Sequence, residues 1–199
     1  FILGEKFIGS DDVCLILGDN IFYGKTLPQT LLKTKEYIEN SDNSLIFGYR
    51  VKDPDRYGVI EFDNKNKVIS IEEKPEKPKS NYAAVGLYFY KNDVINISKN
   101  IKPSNRGELE ITDVNLEYLR QNRLNANIFD TVFWLDTGTY DALVEASNFV
   151  KTVEEREGKR LSCIEEIAYK YNYIDSRKLK KIINNYNNAY GNYLKKLLK

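Results

Sequence analysis

Residues 13–17, Val-Cys-Leu-Ile-Leu, form a compact apolar run cut off at once by Gly18, Asp19 and Asn20. Five apolar residues without polar alternation describe a short strand covered on both faces and ending in a turn, and the expectation is a central strand of a parallel sheet. Residues 27–40 follow with Leu27, Leu31, Leu32 and Ile38 spaced among polar side chains. Pro28 sits where a first helical turn tolerates it, so a helix is expected there. Residues 44–51 read as the next strand, and strand, helix and strand in that order make a β-α-β unit. This start places the chain in the α/β class.

The texture then changes. Gly58-Val59-Ile60-Glu61-Phe62 and Val68-Ile69-Ser70-Ile71 flank a polar stretch, Asp63-Asn64-Lys65-Asn66, and predict a hairpin. Residues 72–80 are charged and carry Pro75 and Pro78, which predicts an irregular loop. Residues 82–90 are dense in aromatics and read as a strand, in which Gly86 suggests a close backbone approach. A mostly buried helix is expected over residues 108–119, introduced by Ser104-Asn105-Arg106-Gly107, and a further strand over residues 125–135. From Tyr140 onward the signals are helical: Leu143, Ala146, Phe149, Val150 and Val153 at helical spacing, a Gly158 stop, then residues 163–171 and 176–183. The architecture expected from pattern is α/β with a helical C-terminal appendage.

Composition narrows the chemistry. With 199 residues, 42% of them hydrophobic, the chain can bury a core. Lys and Arg total 30 against 29 for Asp and Glu, so no basic field holds a polyanion, and nucleic acid and anionic membrane are poor partners. Cys14 and Cys163 lie in or beside apolar runs and read as small buried hydrophobes of a reducing compartment. No apolar run approaches a membrane span and the start shows no signal peptide, so a cytoplasmic location is expected. There is no Met, which makes Phe1 an unusual translation start. There is no His either, which removes the commonest general base and zinc ligand. Chemistry here must run on carboxylates, lysine, backbone and a hard metal.

Two strand ends present an aspartate in a tight polar turn, Gly18-Asp19-Asn20 and Asp136-Thr137-Gly138. Ligands of open α/β sheets bind at such ends, and two carboxylates there suit Mg²⁺, which takes a couple of carboxylates plus waters and substrate phosphates. The same residues serve equally to cap turns or helices. Glu72-Glu73-Lys74-Pro75 sets a lysine between carboxylates and a rigid proline, either as a phosphate counter-charge or as a solvated loop. Arg56-Tyr57-Gly58 offers a glycine open to a ligand beside an aromatic that can stack on a sugar, or an ordinary strand start. Composition and spacing stop at a Mg²⁺ and phosphate site.

Taken in order, Leu17-Gly18-Asp19-Asn20, Arg56-Tyr57-Gly58-Val59, Glu72-Glu73-Lys74-Pro75, Asn81-Tyr82-Ala83, Gly86-Leu87-Tyr88, Gly107-Glu108-Leu109-Glu110-Ile111-Thr112-Asp113 and Trp134-Leu135-Asp136-Thr137-Gly138-Thr139 resemble the sugar nucleotidyltransferases. Among these they are most similar to the glucose-1-phosphate thymidylyltransferases. The resemblance implies a Rossmann-like nucleotidyltransferase fold, a mixed, mostly parallel sheet flanked by helices, with residues 1–139 as the catalytic domain and 140–199 as a helical region for packing, assembly and regulation. It implies that dTTP and glucose 1-phosphate are joined to dTDP-glucose with release of pyrophosphate, in deoxysugar pathways such as dTDP-rhamnose synthesis. The sugar phosphate is its own nucleophile in such a reaction, so histidine is dispensable.

By the same resemblance Asp19 and Asp136 hold Mg²⁺ and are catalytic together with Lys74, which contacts the sugar phosphate. Glu73 accepts from sugar hydroxyls, Gly58 and Tyr88 belong to the sugar site, and Asn20 and Tyr57 adjoin it. Ala84 stands where such proteins tend to carry valine. Homotetramers with an end-product site near the helical C-terminal part are also implied. Nothing in the chain matches the family's Gly-rich N-terminal phosphate loop, so the first β-α-β unit is expected to be missing, the chain alone to be inactive, and its sheet to be partly uncovered. A catalytically dead sugar-phosphate or nucleotide-sugar binding module is the alternative. A metal-dependent glycosyltransferase ranks third, because Asp11-Asp12 precedes an apolar strand instead of following one.

Overall fold

The structure is a computed structural model that describes residues 1–104 and 107–198. Asn105 and Arg106, half of the expected helix-start signal, lie outside the described residues. In chain order the first unit, Phe1–Leu143, runs through α1 (Glu5–Ile8), β1 (Val13–Ile16), β2 (Asn20–Tyr23), α2 (Leu27–Glu39), β3 (Ser44–Arg50), a 3-10 turn at Pro54–Arg56, β4 (Gly58–Phe62), β5 (Val68–Glu73), β6 (Tyr82–Tyr90), α3 (Val94–Asn100), α4 (Ile111–Arg120), β7 (Leu124–Ile128) and β8 (Phe133–Asp136). The second, Val144–Lys199, holds most of α5 (Tyr140–Glu157) and all of α6 (Ile164–Lys170), α7 (Ser176–Ile183) and α8 (Ala189–Lys196).

Strand β6 organises the first unit. One of its edges pairs with β3; the other is shared by β4 at the start of the strand and β1 at its end, all antiparallel. The sheet runs β5-β4-β6-β3-β7, with β1 added beside β6. Alternation along β6 sends Ala83, Val85, Leu87 and Phe89 into a core shared with Ile38, Phe47 and Trp134, and Tyr88 and Tyr90 into the opposite core with Ile46, Val94, Val114 and Tyr118. Helices α3 and α4 cover the latter face and α2 contributes to the former. Residues Ala84, Gly86 and Tyr88 therefore share one face of the strand, a point that matters for the site.

The expected hairpin forms between β4 and β5, and β6 spans the expected residues. Several expectations are corrected. Residues 13–17 do not make a central parallel strand: β1 pairs antiparallel with β6, and Cys14, Ile16 and Leu17 are exposed. Cys14 is thus no buried hydrophobe, whereas Cys163 is. An all-apolar run fixes neither strand direction nor the number of neighbours. In the β-α-β unit, β6 is inserted between β1 and β3, and β3–β7 is the only parallel pairing among the described residues, so the sheet is mixed but not mostly parallel. The strand expected over residues 125–135 is two strands in different sheets, β7 beside β3 and β8 beside β2. Between them Phe129 stacks on Phe47, centroids 4.4 Å apart, and Val132 is buried. Packing of that ring breaks the run. Helix α4 starts at Ile111, after an extended Glu110, so residues 108–110 precede it; β5 continues to Glu73, two residues into the expected loop. Strand β2 and helices α1 and α3 lie where the sequence pattern predicts no element.

In the second unit Cys163, Leu179, Ile183 and Leu194 are buried together. Gly158, at φ +65, ends α5, which a side-chain-bearing residue would do at a conformational cost. Asp175 caps α7 by accepting from the amide of Lys178, and Asn188 caps α8 by accepting from that of Gly191. The asparagine run therefore contributes a helix start. No helix among the described residues is long and apolar enough to cross a membrane.

Candidate active site

Asp19 lies in the turn between β1 and β2, and Asp136 ends β8; the two-stranded ribbon pairs Asn20 with Asp136 and so brings the aspartates to one place. The amide and hydroxyl of Thr137 both donate to the carbonyl of Asp19, at 2.8 and 3.0 Å, which fastens the two turns together. Gly138 leaves a gap between the carboxylates. A Cβ there would stand 3.4 Å from Asp136 Oδ1 and 4.0 Å from Asp19 Oδ2. The turn leading into the hairpin adds Arg56 and Tyr57, the hairpin adds Gly58 and Glu73, and Lys74 follows; β6 supplies Ala84, Gly86 and Tyr88 as the floor of a cleft of about 530 Å³. All the residues expected at the site line this cleft: Asp19, Asn20, Tyr57, Gly58, Glu73, Lys74, Ala84, Tyr88 and Asp136.

Asp136 accepts a hydrogen bond on each oxygen, Asp19 on one. Asp136 accepts from the Tyr57 hydroxyl at Oδ2 and from the Gly138 amide at Oδ1, 3.0 Å, with Arg56 Nη2 3.6 Å from Oδ2. Burial of the ring, and then the Asp136 bond, push the Tyr57 hydroxyl well above the usual tyrosine range, so it stays a donor. Burial, with the charges of Glu73 and Asp19, does the same to Tyr88. Glu73 Oε2 accepts from Thr112 Oγ1 at 2.5 Å, while among the described residues no donor meets Oε1. Gly58 permits that arrangement, since a Cβ would lie 3.2 Å from Thr112 Oγ1 and 3.4 Å from Glu73 Oε2. Lys74 is exposed and adopts φ +42, sparsely populated for a side-chain-bearing residue, with its amide tied to the Tyr57 carbonyl at 3.0 Å.

Thr112 and Trp134 also line the cleft, and the sequence reading gave neither a role. Both stand inside recognised motifs. A polar residue in the first turn of a buried helix and a lone tryptophan needing a partner for its N–H are the signals that would have found them.

A divalent cation fits this donor set. Among the described residues no three His, Cys, Asp or Glu side chains gather. Two hard carboxylates facing a gap that a Cβ would fill match Mg²⁺, which keeps waters and substrate phosphates as its remaining ligands.

Acidic and basic side chains gather at strand ends of a mixed α/β sheet, where open sheets of this class bind ligands. The chain belongs to the nucleotidyl transferase family, which matches residues 1–153. It is 47% identical over its whole length to a glucose-1-phosphate thymidylyltransferase of Neisseria meningitidis serogroup A and 46% to one of Mycobacterium tuberculosis, covering 69% and 68% of those proteins. The crystal structure of a putative glucose-1-phosphate thymidylyltransferase from Bacillus anthracis in complex with a sucrose matches 74% of this chain at TM-score 0.64 and 41% identity. A UDP-glucose pyrophosphorylase complexed with UDP-glucose matches 76% at TM-score 0.65 and 26% identity. The chain spans 57% and 60% of those two structures.

Proposed function

We propose that the protein to which this chain belongs transfers a thymidylyl group from dTTP to glucose 1-phosphate, giving dTDP-glucose and pyrophosphate, with Mg²⁺ as cofactor. The convergence of Asp19 and Asp136 on the gap at Gly138, above the floor of Ala84, Gly86 and Tyr88, supports this reading most directly. The 47% identity to a named thymidylyltransferase supports the choice of base and sugar over the uridylyl alternative.

The roles follow from position. Asp19 and Asp136 hold the cation, which when bound neutralises charge on the nucleotide phosphates. Lys74, exposed at the rim, meets the sugar phosphate as a point charge and aligns its oxygen for in-line attack at the α-phosphorus. Glu73 keeps Oε1 free for a sugar hydroxyl while Thr112 occupies Oε2. Gly58, Ala84 and the Tyr88 ring shape the sugar floor, and Tyr57 keeps Asp136 turned toward the cation. Residues 1–139 form the catalytic part and 140–199 serve assembly into a homotetramer and feedback. We place the protein in the cytoplasm, on a route to deoxysugars such as dTDP-rhamnose.

The test is pyrophosphate release by the polypeptide carrying this chain, with Mg²⁺, glucose 1-phosphate and either dTTP or UTP. Release with dTTP that collapses in Asp136→Asn is expected. No release with either nucleotide, alongside retained binding of glucose 1-phosphate, would replace the enzyme with a sugar-phosphate binding module.

A further inference from the structure

The side chain of Asn20 is almost fully committed inside the protein. Its Oδ1 accepts two hydrogen bonds, from the Gly86 amide at 3.0 Å and from Trp134 Nε1 at 2.6 Å. Two N–H donors on one atom identify that atom as the oxygen, so the orientation of the amide is fixed by chemistry. The nitrogen must then face the other way, and Nδ2 donates to Asp19 Oδ1 at 2.7 Å. Among the described residues Asp19 Oδ2 has no donor, and it is the oxygen that faces the Gly138 gap.

The backbone has been cut to fit this amide. A Cβ at Gly86 would lie 2.7 to 2.8 Å from Asn20 Cγ, Oδ1 and Nδ2, which no real contact allows. The space for Asn20 therefore exists only because residue 86 is glycine. Three segments, the β1–β2 turn, β6 and β8, meet on one amide.

We infer that Asn20 is a positioning residue: locked by Gly86 and Trp134, it pins Asp19 Oδ1 and so aims Oδ2 at the cation gap, instead of spending its side chain on the sugar. The inference rests on the reading of Asp19 as a cation ligand. Outer-sphere groups that orient a metal-binding side chain typically change affinity about 10- to 100-fold when removed.

The test needs no turnover. Trp134 is the only tryptophan among these 199 residues, and its indole ¹⁵N–¹H signal is assigned by its loss in Trp134→Phe. Mn²⁺ affinity is followed by paramagnetic broadening of that signal and by water-proton relaxation. Asn20→Ala is expected to shift the indole signal and to weaken Mn²⁺ binding about 10-fold. The loss should add to that of Asp136→Asn and vanish on an Asp19→Asn background, as expected for a residue acting through Asp19 alone. Trp134→Phe keeps the ring and removes one of the two donors; its loss, read by water relaxation, should be several-fold, and absent with Asp19→Asn.

An Asn20→Ala loss that persists in full on the Asp19→Asn background, or no loss in a folded Asn20→Ala, overturns the inference while leaving the metal reading intact. Unchanged Mn²⁺ affinity in Asp19→Asn itself sinks the metal reading and the inference with it. If Asn20→Ala fails to fold, the Trp134→Phe cycle decides between the same outcomes.

Discussion

In the helical unit Glu165 accepts from the hydroxyls of Tyr190 and Tyr186, and Glu166 from Tyr193 and Lys170. In the cleft Asp136 accepts from Tyr57 and the Gly138 amide. The pairing of carboxylate with tyrosine is the same, and Asp136, like Glu165 and Glu166, has a donor on each oxygen; but Glu165 and Glu166 are only 9% and 7% exposed and tie α6 to the segments around α8. In the cleft Asp19 keeps one oxygen without a donor, and both aspartates face a gap. A buried carboxylate whose acceptors are all used holds a fold together; one held from a single side has capacity left for a ligand.

The largest expected effect lies in the helical unit. Leu179, fully buried there, should cost about 2–5 kcal/mol on truncation to alanine. Hydrogen exchange should show residues 144–198 loosened while Mn²⁺ affinity at Asp19 and Asp136 stays unchanged. A parallel loss of affinity would mean that the two regions are one cooperative unit, and the contrast would fail.

Asp136→Asn comes next. It should lower pyrophosphate release at least about 100-fold, with circular dichroism unchanged, since it removes charge from the gap and keeps the side-chain shape. Retained activity would mean that Asp136 carries no cation.

Gly86→Ala drives a methyl into the Asn20 amide, and overpacking of this kind costs about 1–3 kcal/mol. A lower melting temperature together with a displaced Trp134 indole signal is expected. A displaced signal without any change in Mn²⁺ affinity would separate packing from ligand positioning.

The smallest effect concerns pH. Burial alone would raise Glu166, but the Lys170 and Tyr193 bonds hold it below the usual glutamate value. A depressed carboxylate stabilises the fold above its unfolded pKa of about 4.3 and loses that contribution as pH falls through its lower folded value. Lys170 is more than half exposed, so the contribution is at most about 1 kcal/mol. Unfolding followed from pH 6 down to pH 3 should show this loss, and Glu166→Gln should flatten the profile over that window. An identical profile in the variant would remove Glu166 from the acid response.

Much of the site could be read from the chain because its pieces are local. Asp19 and Asp136 each follow an apolar run and sit in a turn of polar and glycine residues; Gly86 interrupts an aromatic strand; Gly58 and Glu73 stand at the facing ends of a hairpin whose register its own turn fixes. Periodicity also fixes which residues of β6 face the same way, and so which can floor a cleft. The α/β class and the helical C-terminal region follow from the same short-range patterns.

Tertiary structure decided the rest, because choosing a strand's partner is a non-local event. An apolar run looks the same in the sequence whether its neighbour is parallel or antiparallel, and so the pattern fixes neither the antiparallel pairing of β1 nor the place of β6 between β1 and β3. Nothing near Asn20 announces that its oxygen will meet an amide 66 residues away and an indole 114 residues away. Thr112 likewise reaches Glu73 only once α4 packs on β5. Hydrogen bonds between distant residues form only after the sheet has been assembled, so the sequence could name the carboxylates but not the amide that aims one of them.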